Sequence, residues 1–113
     1  MAYWHNPRCT KSRQALALLR EKGVELQVRE YLKTPPSAAE LKDVIKALGL
    51  SSARDLMRTK EAEYKDLGLK DVDDEEALVS AVIKTPRFIE RPILINGAKA
   101  AIGRPTENIL EAL

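Results

Sequence analysis

The stretch YWHNPRCTKSR, residues 3–13, holds the only histidine and the only cysteine of a 113-residue chain, four positions apart. Asn6 and Pro7 lie between them, and Arg8, Lys11 and Arg13 surround the thiol. Residues 10–22, TKSRQALALLREK, are strong helix formers that end at Gly23, so Cys9 falls at or just before a helix N-terminus. Unpaired backbone N–H groups and the positive end of the helix dipole favour a negative charge there. A thiol so placed drops from a pKa of about 8.5 into a range of about 3.5–7.5, and the thiolate is the nucleophile. The same amides and cations suit a tetrahedral oxyanion. The competing reading of Cys9 is an inert buried cysteine, which its polar, turn-forming neighbours argue against. His5 divides evenly between two readings: a group that tunes the thiol loop, and a satisfied residue at the end of a strand.

Other chemistries are excluded by single positions. A Cys-x5-Arg phosphatase loop needs arginine where Ala15 stands, and a dithiol centre needs cysteine where Ser12 stands. A redox cycle at Cys9 therefore takes its second thiol from outside the chain. One histidine and one cysteine make too small a donor set for a metal site. No Gly-rich phosphate loop or nucleotide motif is present, so no bound cofactor is expected. Three arginines stand at element boundaries: Arg58 ends RDLMR, Arg91 precedes Pro92, and Arg104 precedes Pro105. A guanidinium matches an oxyanion with a planar fork, although position alone does not separate these three from ordinary surface arginines.

The elements that must position these residues are legible in outline. Residues 2–5 read as a strand, and residues 25–31, with Leu26 and Val28 alternating, as a second. A strand–helix–strand opening of this kind pairs its strands in parallel. Ser37 and Glu40 make a capping box before Leu41, Val44, Ile45 and Leu48, the cleanest amphipathic helix, which Gly49 closes. Residues 52–58, 61–67 and 74–84 read as further helices. Asn96-Gly97, between two apolar segments, signals a hairpin, and residues 106–112 suit a last helix. The order β-α-β, helical block, β-β-α describes an α/β protein with a thioredoxin-like mixed sheet. The expectation is one domain over 1–113, with 33–90 a largely helical insertion. In such a sheet a cis-proline at Pro92 would open a strand and aim Arg91 at Cys9.

Composition agrees with that outline. Hydrophobic residues are 44% and charged residues 32%, an ordinary globular balance. The net charge of +2 predicts no nucleic-acid partner, and the short apolar runs predict no membrane span. A lone cysteine and no recognisable secretory signal point to a reducing compartment, the cytoplasm. Residues 1–33 carry seven Lys/Arg against three Asp/Glu, and residues 60–76 carry three Lys against eight Asp/Glu. The thiol thus sits in the basic part of the chain, and the acidic run reads as a solvated helix face and its loop.

The cysteine loop, together with ARDLMRTKEAEYKDLGL, ERPILING and IGRPTENIL, resembles the glutaredoxin-coupled arsenate reductases of thioredoxin-like type, in order across essentially the whole chain. That resemblance implies that Cys9 attacks arsenate and forms a thiol–arsenate adduct, that His5 helps lower its pKa, and that Ser12 supports the thiolate by hydrogen bonding. It implies that Arg58, Arg91 and Arg104 bind the oxyanion. It further implies glutathione as co-substrate, glutaredoxin as the partner that resolves the mixed disulfide, and arsenite as product. Two other readings suit the same loop: a monothiol glutaredoxin-like oxidoreductase acting on glutathionylated proteins, and a non-catalytic polymerase-binding regulator. The three arginines argue against the first. Ser12, in place of a second thiol, argues against the second.

Overall fold

A computed structural model of the chain describes residues 1–59 and 61–113. It divides into two compact units, Met1–Thr34 with Arg91–Leu113, and Pro35–Glu90.

The first unit is built on a four-stranded sheet of order β2-β1-β3-β4, with β1 at Ala2–His5, β2 at Gln27–Glu30, β3 at Ile93–Asn96 and β4 at Lys99–Ile102. β1 pairs in parallel with β2, as a strand–helix–strand opening requires, and antiparallel with β3. Being flanked on both sides, β1 buries Tyr3, Trp4 and His5. Helix α1, Thr10–Glu21, turns Ala15, Leu16 and Leu19 towards Tyr3, Leu94, Ala101, Ile109 and Ala112 to form the core of this unit. β2 is shorter than the expected 25–31. It is an edge strand, and Val28 stays 40% exposed, whereas Leu26 packs on the core.

The hairpin forms one residue later than the Asn-Gly signal implies. Asn96 pairs with Lys99 as the last rung of the ladder, which leaves Gly97 and Ala98 as the two-residue loop. Gly97 takes the positive φ of 59° that the first loop position demands. The Asn96 side chain ties the hairpin to the end of the chain, its Nδ2 donating to the Ala112 carbonyl at 2.9 Å. The last helix is a 3-10 helix over Thr106–Ala112 instead of an α-helix. Its buried residues Ile109 and Ala112 are three apart, a spacing that eclipses at three residues per turn and drifts in an α-helix.

The second unit is helical. Ser37 caps α2, Ala38–Ala47, with the expected capping box, and Leu41, Val44 and Ile45 line the buried face. Residues Ala62–Asp66 form α3 and Glu75–Lys84 form α4, the latter capped by Asp74. The expected helix over 52–58 shrinks to a 3-10 turn, Ala53–Leu56. Met57 instead forms an antiparallel bridge with Ile89, and the Leu56 carbonyl accepts from Glu90 N–H at 2.8 Å. Two further 3-10 turns, Leu69–Asp71 and Pro86–Phe88, carry no periodicity long enough to be read from sequence. Several acidic residues of the 60–76 run act locally: Glu75 accepts from Ala53 N–H at 2.6 Å and from the Ser52 hydroxyl at 2.8 Å, and Glu63 pairs with Arg87. Lys60, which opens that run, lies outside the described residues. No described helix is long and apolar enough to cross a membrane.

Candidate active site

Cys9 is the N-cap of α1, with φ −93° and ψ 122°. Ser, Thr, Asp and Asn are the usual caps because their oxygens accept from the free amides of the first turn; a thiolate can take the same role. The loop that presents it is held by its own backbone and by short polar side chains. Cys9 N–H donates to the Asn6 carbonyl at 3.0 Å, and Arg8 N–H to Asn6 Oδ1 at 3.1 Å. Arg13 reaches back to the Pro7 carbonyl at 2.8 Å and to Thr10 Oγ1 at 3.2 Å, which fastens the loop to the first turn of the helix.

The thiol is partly exposed, unlike an inert core cysteine. Burial works against its ionisation. The Ser12 amide, the charge of Arg91, the Lys11 amide and a hydrogen bond from Arg91 outweigh that and hold its pKa below the usual thiol value. Ser12 thus acts on the thiol through the dipole of its backbone N–H, although the Cys9 side chain makes no cap hydrogen bond. Its hydroxyl serves other partners: Ser12 is fully buried, accepts from Asn6 N–H at 3.0 Å, and shares a 2.7 Å hydrogen bond with His5 Nδ1.

His5, at the end of β1, is 8% exposed. Desolvation, which outweighs the attraction of Glu30, and the positive charges of Arg20 and Arg13 hold its pKa below the usual histidine value. It is therefore neutral at pH 7, and its route to the thiol loop runs through Ser12 instead of through a positive charge. With the ring proton on Nδ1 the ring donates to Ser12 and frees the hydroxyl hydrogen; with the proton on Nε2 the hydroxyl donates to the ring.

Tyr3 is a member of this network that its sequence position does not single out. Its hydroxyl donates to the Ser12 carbonyl at 2.6 Å, and its ring lies 5.6 Å from that of His5. Burial pushes its pKa up to about 12, so it stays a donor. The signal for it is positional: Tyr3 and His5 are two apart on one strand, so they share a face.

Arg91 and Arg104 belong to the same unit as the thiol. The peptide bonds Arg91–Pro92 and Arg104–Pro105 are both cis. Arg104 Nε donates to the Arg91 carbonyl at 2.9 Å, tying the two arginines together. The Arg91 guanidinium acts on Cys9, while its Nε and Nη1 are buried without a hydrogen-bond partner. Gly103 also belongs here. Its N–H donates to the Pro92 carbonyl at 2.9 Å, and a Cβ at this position would lie 2.8 Å from Pro92 Cγ. Arg58 belongs to the second unit. It follows the Met57 bridge instead of ending a helix, its N–H donates to the Phe88 carbonyl at 2.6 Å, and its guanidinium pairs with Glu61 at 2.6 Å.

Residues 4–112 match the model of the ArsC family. The chain belongs to the ArsC family. Among its relatives, the YfgD protein of Escherichia coli K12, itself uncharacterized, is 54% identical over 109 residues, which are 96% of this chain and 92% of YfgD. An arsenate reductase of Neisseria meningitidis serogroup A is 52% identical over 107 residues, 94% of this chain and 92% of the relative. The solved structure of an arsenate reductase from Vibrio cholerae superposes with a TM-score of 0.95 at 46% identity, covering 100% of this chain and 98% of its own. The ArsC-type sheet and helices of that relative thus recur here, and the α/β, thioredoxin-like expectation holds.

Proposed function

We propose that this ArsC-family protein reduces arsenate to arsenite through Cys9, with glutathione and glutaredoxin as external reductants and no bound cofactor. The observation that carries the reading is the Arg91 guanidinium: it helps to ionise Cys9 and keeps two buried nitrogens without a partner. A buried charged donor left unpaired is costly, and an oxyanion beside the sulfur would satisfy it. The relatives that are arsenate reductases, at about half identity over nearly the full chain, support the choice of oxyanion.

In this reading the Cys9 thiolate attacks arsenic(V). A sulfur–arsenic bond forms, an arsenic–oxygen bond breaks, and the oxygen leaves as water once protonated. A glutathione thiolate then attacks the Cys9 sulfur. A disulfide forms, and the electron pair of the sulfur–arsenic bond stays on arsenic, which departs as arsenite. Glutaredoxin takes the glutathione from Cys9 and regenerates the thiolate. Two thiols are oxidised to one disulfide while arsenic gains two electrons. Ser12 holds the thiolate through its amide, His5 orients the Ser12 hydroxyl, and Arg104 positions Arg91 through its carbonyl. Arg58 keeps its oxyanion-binding role on the resemblance alone.

The test is arsenate-dependent NADPH oxidation by the purified protein, coupled through glutathione, glutaredoxin and glutathione reductase, beside Cys9→Ser. Turnover is expected in the native chain and none above the no-enzyme rate in the variant. Turnover that survives the loss of the thiol would overturn the reading.

A further inference from the structure

Tyr3 carries a hydroxyl that packing does not require. The residue is fully buried in β1, and the core around it, which includes Ala15, Leu16, Leu19 and Leu94, is apolar. A phenylalanine would fill the same space. The hydroxyl instead donates to the Ser12 carbonyl at 2.6 Å. That carbonyl does not need the bond either. Ser12 is the third residue of α1, and the α-helical pattern supplies a carbonyl so early in a helix with the N–H four residues on. Only the last turn of a helix leaves its carbonyls free. The Tyr3 hydroxyl therefore takes the second lone pair of an oxygen that the helix already satisfies, and it does so from another element.

What the bond reaches next is the nucleophile. The Ser12 carbonyl and the Arg13 N–H are the two ends of one planar peptide unit. Arg13 N–H donates to the Cys9 carbonyl at 3.0 Å. Tyr3, the 12–13 peptide and Cys9 thus stand in one chain of two hydrogen bonds. A donor on the carbonyl polarises that peptide and strengthens its N–H. Burial raises the pKa of the phenol, and the charge of Cys9 raises it further, so the two groups act on one another. The base of the chain is firm, because Tyr3 pairs with Val28 on one side and Leu94 on the other. His5, on the same strand face, meets Ser12 at a different atom, its hydroxyl. We propose that Tyr3 is a positioning residue for Cys9: through the Ser12 carbonyl and the 12–13 peptide its hydroxyl fixes the first turn of α1, so that the sulfur and the amides of that turn keep one geometry before a substrate arrives. The role is separate from that of His5. It rests on the reading of Cys9 as a thiolate nucleophile and not on the identity of the oxyanion.

Tyr3→Phe removes the hydroxyl and keeps the ring. Alkylation of Cys9 by iodoacetamide, followed against pH, should then show a midpoint displaced upward and a rate below that midpoint lower by about two- to fivefold, part of the worth of one hydrogen bond. Amide hydrogen exchange read by NMR should show the Arg13 N–H losing protection while that of Leu19, further along α1, keeps it. Leu19→Val loosens the same core without touching the first turn, so it should lower the stability and leave the alkylation midpoint in place. Tyr3→Phe made in a Ser12→Ala background should lower the rate by the same factor as in the native chain, because the carbonyl remains when the hydroxyl is gone. An unmoved midpoint in Tyr3→Phe, unchanged protection at Arg13, or an equal shift in Leu19→Val would overturn the proposal. An effect that vanishes in the Ser12→Ala background would also overturn it, since Tyr3 would then act through the Ser12 hydroxyl and His5. Arsenate is absent from every arm, so a chain inactive towards arsenate leaves this result standing, and an unmoved midpoint leaves the reductase reading untouched.

Discussion

Gly103→Ala separates packing from propensity. Gly103 does not carry a positive φ, so alanine fits its backbone, and in open space the change would stabilise the chain by about 0.4–1 kcal/mol through the unfolded state. The space is not open. The added carbon would lie 2.8 Å from Pro92 Cγ and 3.2 Å from Pro92 Cδ, with Ile109 Cδ1 at 3.5 Å. The closest of these is roughly 0.7 Å inside the usual carbon–carbon separation. Pro92 is a closed ring with no rotamer to yield. Its carbonyl is held by Gly103 N–H, and the next residue, Ile93, is paired with Trp4 on one side and Ile102 on the other. The strain therefore passes to Arg91. Overpacking of this kind costs about 1–3 kcal/mol, which exceeds the propensity gain. The expected result is a thermal midpoint lower by about 5–10 °C for a chain of this size. A shift of the Arg91 guanidinium approaching 1 Å should also cut kcat/KM for arsenate by about ten- to a hundredfold. The assays are calorimetric or circular-dichroism melting and the coupled reductase assay. A midpoint equal to or above the native one, with unchanged kcat/KM, would refute this reasoning and show that the β4 end gives way freely.

Arg91→Met keeps the stem of Arg91 and removes its charge, so the pH midpoint for alkylation of Cys9 by iodoacetamide should move up towards that of an ordinary thiol; an unmoved midpoint would take Arg91 out of the site. Because the folded thiol has the lower pKa, its ionisation adds stability that is fully present above the unfolded-state value and is lost as pH falls through the folded value, so the difference in stability between native and Arg91→Met should shrink on acidification through that window. Ser12→Ala leaves Asn6 N–H and His5 Nδ1 without their partner in a buried setting and should cost about 1–3 kcal/mol by denaturant unfolding, while its backbone amide still supports the thiolate, so the alkylation midpoint should move less than in Arg91→Met.

The sequence by itself determined where the thiol stands. A helix that starts at Thr10, with turn formers before it and no second cysteine near it, places a lone sulfur at an N-terminus, and that is a local matter of propensity and capping. The capping box at Ser37, the α4 segment and the parallel opening pair were legible for the same reason, since each depends on residues close in the chain. Tertiary structure decided what lies between distant segments. The hydroxyl of Ser12 turns to His5 and Asn6 because the end of β1 passes beside the first turn of α1, and Tyr3 joins them from the same strand face. Arg91 meets the thiol only because β3 runs alongside β1, far away in the chain. The 52–58 segment gave up its helix for a bridge to Ile89, and the last segment adopted three residues per turn to bury Ile109 and Ala112. Short-range preferences are worth tenths of a kcal/mol per residue, and a buried contact or a shared hydrogen bond outweighs several of them.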